Sequence, residues 1–135
     1  MSPLKITVTK NQPYDVIQCC DVVMTTSGTA TLEIALLTVP MVIAYKLSTV
    51  TYWLGRWLVN TPFIGLPNIV LGKGFVKEFI QHEATGENLA GEVKRILTDK
   101  TYADEMRVNL ILVKQQLGQG GGSKNMADLA LEMLK

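Results

Sequence analysis

The feature that most constrains the fold is a set of short apolar runs with helix-friendly stretches between them. Residues 21–25 (Asp-Val-Val-Met-Thr) and 41–45 (Met-Val-Ile-Ala-Tyr) are apolar at consecutive positions, and residues 5–9 (Lys-Ile-Thr-Val-Thr) are rich in β-branched side chains. Successive residues of a strand face opposite sides of the sheet, so an unbroken apolar run is stable only where both sides are covered. The intervening residues 14–20 and 30–37 read as helices. The second is closed by Pro40, which disfavours helix at Val39. This alternation predicts a parallel sheet within a doubly wound α/β domain.

The rest of the chain is expected to be mostly helical. Ser48 can cap a helix over residues 49–60 that carries Tyr52, Trp53, Leu54, Trp57 and Leu58. A short strand or turn over 63–66 leads into Pro67-Asn68, and a helical piece is expected at 76–81. Helices follow at 87–97, 102–117 and 125–134, the last two separated by the glycine-rich residues 118–123. Met106, Leu110, Val113 and Leu117 form the apolar stripe of the 102–117 helix. Three or four strands fall short of the about five or six in a doubly wound nucleotide domain. Residues 1–135 are therefore expected to be a single, truncated domain that begins partway through its sheet. An edge strand left open would invite pairing with a second copy, so a homo-oligomer is expected.

Composition excludes several classes. Thirteen Lys and Arg against 12 Asp and Glu leave a net charge of +1, which gives no footprint for nucleic acid. The N-terminus has no apolar segment of a secretory signal, and no run reaches the ~18–20 apolar residues of a spanning helix. Adjacent Cys19 and Cys20 have no metal-ligand spacing around them and read as buried thiols of a reducing compartment. Neither a metal nor a cofactor is expected. A mean hydropathy of +0.20 is high for a small domain and points to surface buried against another domain, a partner or lipid.

Chemistry concentrates in residues 25–33 (Thr-Thr-Ser-Gly-Thr-Ala-Thr-Leu-Glu). The segment is small and polar where a strand stops, then immediately helical. Gly28 permits a sharp turn and close approach of a ligand, and Ser27 or Thr29 can cap the helix. Free N–H groups and the helix dipole then offer an anion site suited to a pyrophosphate. Glu33 lies one turn beyond Thr29, where a carboxylate can take two vicinal ribose hydroxyls. The plainer alternative is a capped helix with a solvated glutamate, and strand–Ser-Gly–helix alone does not separate the two.

Residues 27–33, Pro40-Met41-Val42, Ala44-Tyr45-Lys46-Leu47-Ser48, Thr51-Tyr52 and Leu66-Pro67-Asn68-Ile69 together resemble the lipid-A-disaccharide synthase family. Glu78-Phe79, Gln81, Glu83-Ala84-Thr85 and Glu87-Asn88-Leu89 continue the resemblance in order, so that it runs from about Asp15 to the C-terminus. It implies the Rossmann-like C-terminal half of a GT-B fold. It also implies a hexosyltransferase that moves a diacylated glucosamine from its UDP-sugar to lipid X, forming a β-1,6 disaccharide in lipid A biosynthesis. On that resemblance Ser27, Gly28 and Thr29 contact the UDP diphosphate and Glu33 takes the ribose. Asn68, on a cleft-facing loop, and Tyr45 lie near the sugar or diphosphate. The acceptor site and general base belong to an N-terminal domain, so this chain alone is expected to hold no catalytic residue and to be inactive. The family's Ala-Gly-Arg-Glu is replaced by Leu71-Gly72-Lys73-Gly74, which removes any contact from the Arg-Glu pair.

A cytoplasmic protein is expected, with peripheral contact at the inner membrane as a lesser alternative. Contact of the Trp53 and Trp57 face with lipid is a secondary expectation, weighed against plain burial of that helix. His82, the only histidine, is expected to be exposed or capping. Two alternatives stand beside the transferase: a non-catalytic nucleotide-binding or assembly module, and another UDP-sugar enzyme of the same fold, such as an epimerase.

Overall fold

A computed structural model describes residues 5–46 and 62–118. The described part is α/β: three parallel strands in the order β1-β2-β3, with five α-helices, consistent with part of a Rossmann-like fold. The elements in chain order are α1 (Pro13–Gln18), β1 (Val23–Thr25), α2 (Thr29–Leu36), β2 (Met41–Tyr45), α3 (Leu66–Leu71), β3 (Glu78–Ile80), a 3-10 turn (Gln81–Glu83), α4 (Gly86–Thr98) and α5 (Lys100–Leu117).

β2 sits at the centre of the sheet because its sequence can be buried on both faces. Met41, Val42 and Ile43 are consecutive and all buried, which requires cover above and below. Thr25 pairs with Ile43, and Tyr45 pairs with Ile80, so β2 extends beyond the end of β1 at the carboxyl edge. Ile34 and Ala35 of α2 join Val76, Phe79 and Ile96 in one core with Met106, Leu110 and Val113 of α5. α2 packs against both α3 and α5. The buried positions of α5, Ala103, Met106, Leu110 and Val113, recur at three- and four-residue spacing. Leu117, expected on that stripe, is 42% exposed at the end of the helix.

α4 and α5 are each started by a side chain. Thr85 accepts from the Asn88 amide and Asp99 from the Tyr102 amide, satisfying donors that a helix leaves open in its first turn. The two helices are joined by the Tyr102 hydroxyl, which donates to Glu92 (2.5 Å), while the Arg95 guanidinium lies 3.7 Å from the Tyr102 ring centre. Partial burial and then the Glu92 carboxylate push the Tyr102 hydroxyl up to about 12.

Three expectations are corrected. Residues 5–9 are not a strand: Ile6 and Val8 are 79% and 82% exposed, and no strand among the described residues runs beside them. β propensity without a ladder partner supplies no hydrogen bonds to hold it. For residues 63–66, where strand and turn both stand open, 63–65 form no strand and lead into α3 at Leu66. Residues 76–81, expected to be helical, instead supply β3, whose buried Phe79 sits between half-buried Glu78 and Ile80. Cys19 and Cys20, expected to be buried, are exposed and half-buried free thiols, because they lie at and just past the C-terminal end of α1, which has no buried residue. The tryptophan helix, its lipid contact and the last helix lie outside the described residues. No described helix is long and apolar enough to cross a membrane.

Candidate functional site

The loop from β1 to α2 turns at Gly28, whose φ of 148° and ψ of −169° belong to a region that side-chain-bearing residues rarely enter. A Cβ there would meet nothing within 4 Å. Glycine is therefore required by the backbone conformation, and the space beside it is open. Gly28 is also the N-cap of α2, and no side chain caps it. The expected caps are otherwise engaged: the Ser27 hydroxyl donates to the Ile64 carbonyl (2.9 Å), and Thr29 stands in the helix itself. Thr31 donates its hydroxyl back to the Gly28 carbonyl (2.6 Å) and its amide to the same oxygen (3.1 Å), which tightens the first turn.

The result is an eight-residue helix whose first N–H groups are left to solvent at the carboxyl edge of a parallel sheet. Such a terminus carries partial positive charge and suits an anion. With the Ser27 hydroxyl proton committed to Ile64, a ligand oxygen would be met by backbone N–H groups and by the exposed Thr29 hydroxyl. That hydroxyl makes no hydrogen bond among the described residues. Glu33 lies four residues beyond Thr29 on the same helical face. It is half-buried, and its carboxylate makes no hydrogen bond or ion pair among the described residues. A polar ligand lying along the first turn would meet an anion site first and a carboxylate acceptor next.

Tyr45 ends β2, half-buried, two residues past the register partner of Thr25, and so shares the carboxyl edge. Exposed His82 lies in the turn directly after β3, at that edge too. Asn68 is different. It is 1% exposed, inside α3 rather than on a loop, and every polar group of its side chain is used. Its oxygen accepts from the Phe75 and Val76 amides (3.1 and 3.0 Å). Its nitrogen donates to the Val76 carbonyl (2.8 Å) and to Glu78 (2.6 Å). Its hydrogen bonds therefore tie residues 75–78 to α3.

Sequence reasoning did not single out Glu78. Its carboxylate accepts from the Ile64 amide (2.8 Å), the Gly65 amide (3.0 Å) and Asn68, and thereby caps the start of α3 across the chain. The available signal was a carboxylate that, with Lys77, interrupts the apolar pairs Phe75-Val76 and Phe79-Ile80. Lys73, in the segment that departs from the family pattern, reaches toward Asn109 (3.4 Å) and lines an open groove with Thr101 and Asp104 of α5. None of the expected site residues lines that groove. No cluster of metal-ligating side chains exists among the described residues.

The chain is 49% identical over 133 residues to the lipid-A-disaccharide synthase of Geobacter sulfurreducens, covering 98% of this chain and 35% of that protein. It is 47% identical to that of Geobacter metallireducens and 46% identical to that of Trichlorobacter lovleyi, with 98% of this chain covered in each case and 35% and 34% of those proteins. The chain thus spans about a third of the length of the curated relatives it matches. Residues 2–133 match the lipid-A-disaccharide synthetase family along nearly the whole sequence, and the chain belongs to that family.

Proposed function

We propose that this chain is the donor-nucleotide-binding part of a lipid-A-disaccharide synthase-type glycosyltransferase, the C-terminal portion of a GT-B arrangement. The donor would be UDP-diacylglucosamine and the acceptor a lipid-linked monosaccharide phosphate. The observation that carries the reading is the α2 N-terminus, uncapped by any side chain at the carboxyl edge of the sheet, with Glu33 one turn along. Backbone N–H groups of Gly28 and its neighbours, with the Thr29 hydroxyl, bind the diphosphate, and the helix dipole favours its charge. Glu33 accepts from the ribose hydroxyls. Tyr45 borders the sugar, and Asn68 acts from behind by fixing residues 75–78 against α3. Transfer requires donor and acceptor to be held together. This chain's part is to hold the donor.

Calorimetric titration of UDP and 2′-deoxy-UDP into the chain tests this, with Glu33→Ala alongside. Hydrogen bonds to a charged group contribute on the order of 1.5–3 kcal/mol, so Glu33→Ala should weaken UDP binding about 10- to 100-fold. It should also abolish the preference for the ribose form. A folded Glu33→Ala that binds both nucleotides like the wild type overturns the assignment.

A further inference from the structure

We infer that Glu78 is a positioning residue for the anion-binding loop, acting through a single peptide group. The inference rests on the donor-site reading of residues 27–29. The Ile64–Gly65 peptide unit has its carbonyl oxygen bound by the Ser27 hydroxyl (2.9 Å) and its N–H bound to Glu78 Oε1 (3.0 Å). The preceding amide, that of Ile64, is held by Glu78 Oε2 (2.8 Å). A carboxylate on one side of a peptide polarises it and makes its carbonyl a stronger acceptor on the other side. Glu78 thus fixes the partner that fixes Ser27, and Ser27 is the residue directly before Gly28.

Three details show that the connection is built rather than incidental. Glu78 is half-buried in the sheet, and its oxygens meet three N–H donors, so its charge is compensated internally. Asn68, itself 1% exposed, donates one of those hydrogen bonds. Gly65 leaves no room for a side chain: a Cβ there would lie 2.5 Å from Ile43 Cδ1 and 2.9 Å from Glu78 Oε1. The peptide can therefore approach the carboxylate only because residue 65 is glycine. β3, α3 and the β1–α2 loop, which are far apart in sequence, are joined at this point by hydrogen bonds whose common members are Glu78 and Ile64–Gly65.

The substitution Glu78→Gln preserves shape but exchanges one acceptor oxygen for a donor, which must face an N–H group. The β-phosphate of UDP is what distinguishes it from UMP, so loosening the loop should reduce UDP affinity by roughly tenfold while UMP affinity changes by less than about threefold. Ser27→Ala should reduce the UDP-over-UMP preference similarly, and the double variant should lose little more, because both act on one connection. Backbone order parameters give a second readout. In both variants those of Ser27, Gly28 and Thr29 should fall from the rigid range of about 0.85 toward 0.6, with residues 41–45 unchanged.

A folded Glu78→Gln with unaltered nucleotide preference and unaltered order at 27–29 overturns the inference. If Glu78→Gln does not fold, Ser27→Ala, which leaves the Asn68–Glu78 contacts in place, decides by the same two readouts. Failure of the wild-type chain to bind UDP would remove the donor-site reading alone. The order parameters would still decide whether Glu78 holds the loop: loss of order supports it, and unchanged order overturns it.

Discussion

Replacing Asn68 by alanine removes four hydrogen bonds at once from a position that is 1% exposed. The Phe75 and Val76 amides and the Val76 carbonyl lose their side-chain partner, and both residues are themselves buried. Glu78 Oε1 retains the Gly65 amide and is affected less. A stranded buried donor or acceptor costs about 1–3 kcal/mol. Three such groups, partly relieved by water entering the space left by the amide, give a destabilisation of about 3–5 kcal/mol. That is a large share of the ~5–15 kcal/mol by which domains are stable, and it exceeds what most single substitutions do. Asn68→Asp has nearly the same shape and keeps the two acceptor contacts, yet sets a carboxylate oxygen against the Val76 carbonyl and Glu78. That repulsion raises the folded-state pKa of the introduced carboxyl, so its penalty is present at neutral pH and should shrink on acidification as the carboxyl takes up a proton. Urea unfolding followed by circular dichroism measures both variants. A loss below about 1 kcal/mol for Asn68→Ala, at unchanged m-value, would refute the reasoning.

Two further outcomes follow from single positions. Gly28→Ala forces a Cβ residue into φ 148°, ψ −169° with no steric neighbour to blame; a strain of about 1–3 kcal/mol should lower the melting temperature and weaken UDP binding together, and an unchanged melting temperature would contradict the conformational argument. Tyr102 is raised from 10.0 to about 12, so its neutral form is the one the fold favours. Its contribution is complete below pH 10 and is lost as pH rises through about 12, because the folded chain then retains a proton that the unfolded chain has released. Thermal unfolding between pH 9 and 12 should fall less steeply in Tyr102→Phe than in the wild type, and parallel curves would count against the assignment.

How much of this was legible in the sequence depends on whether a segment's local pattern matched its tertiary fate. β2 was legible to the residue because five apolar residues bounded by Pro40 and Lys46 can hardly be anything but a central strand. α4 and α5 were legible because apolar positions recur at helical spacing over a dozen or more residues, and α2 because residues 30–37 favour helix and Pro40 closes it. β3 was not, since three residues are too few to express a period, and Val76, Phe79 and Ile80 fit either a helical turn or a strand. Residues 5–9 mislead for the opposite reason: strong β propensity has no effect without a neighbouring strand.

Within the site, the Ser27–Gly28–Thr29 turn and the position of Glu33 follow from local rules that a sequence expresses directly. Which hydroxyl caps the helix does not. Either Ser27 or Thr29 can cap by sequence, but the carbonyl of Ile64, 37 positions away, captures the Ser27 proton. The family resemblance puts Asn68 on a cleft-facing loop near the ligand. It lies in α3 because Pro67 is well tolerated in a first helical turn. The hydrogen bonds to Glu78 join residues 10 to 14 positions apart, and neither periodicity nor turn chemistry encodes such contacts.

The central claim is that UDP sits on the first turn of α2. The most direct test is to follow backbone amide resonances of the chain while UDP is added. The account predicts saturable shifts that are largest at Gly28, Thr29 and Ala30 and extend to Glu33, with little change in the open groove around Lys73, Thr101 and Asn109. Shifts centred on that groove, or no shifts at 28–33 in a folded chain, would contradict it.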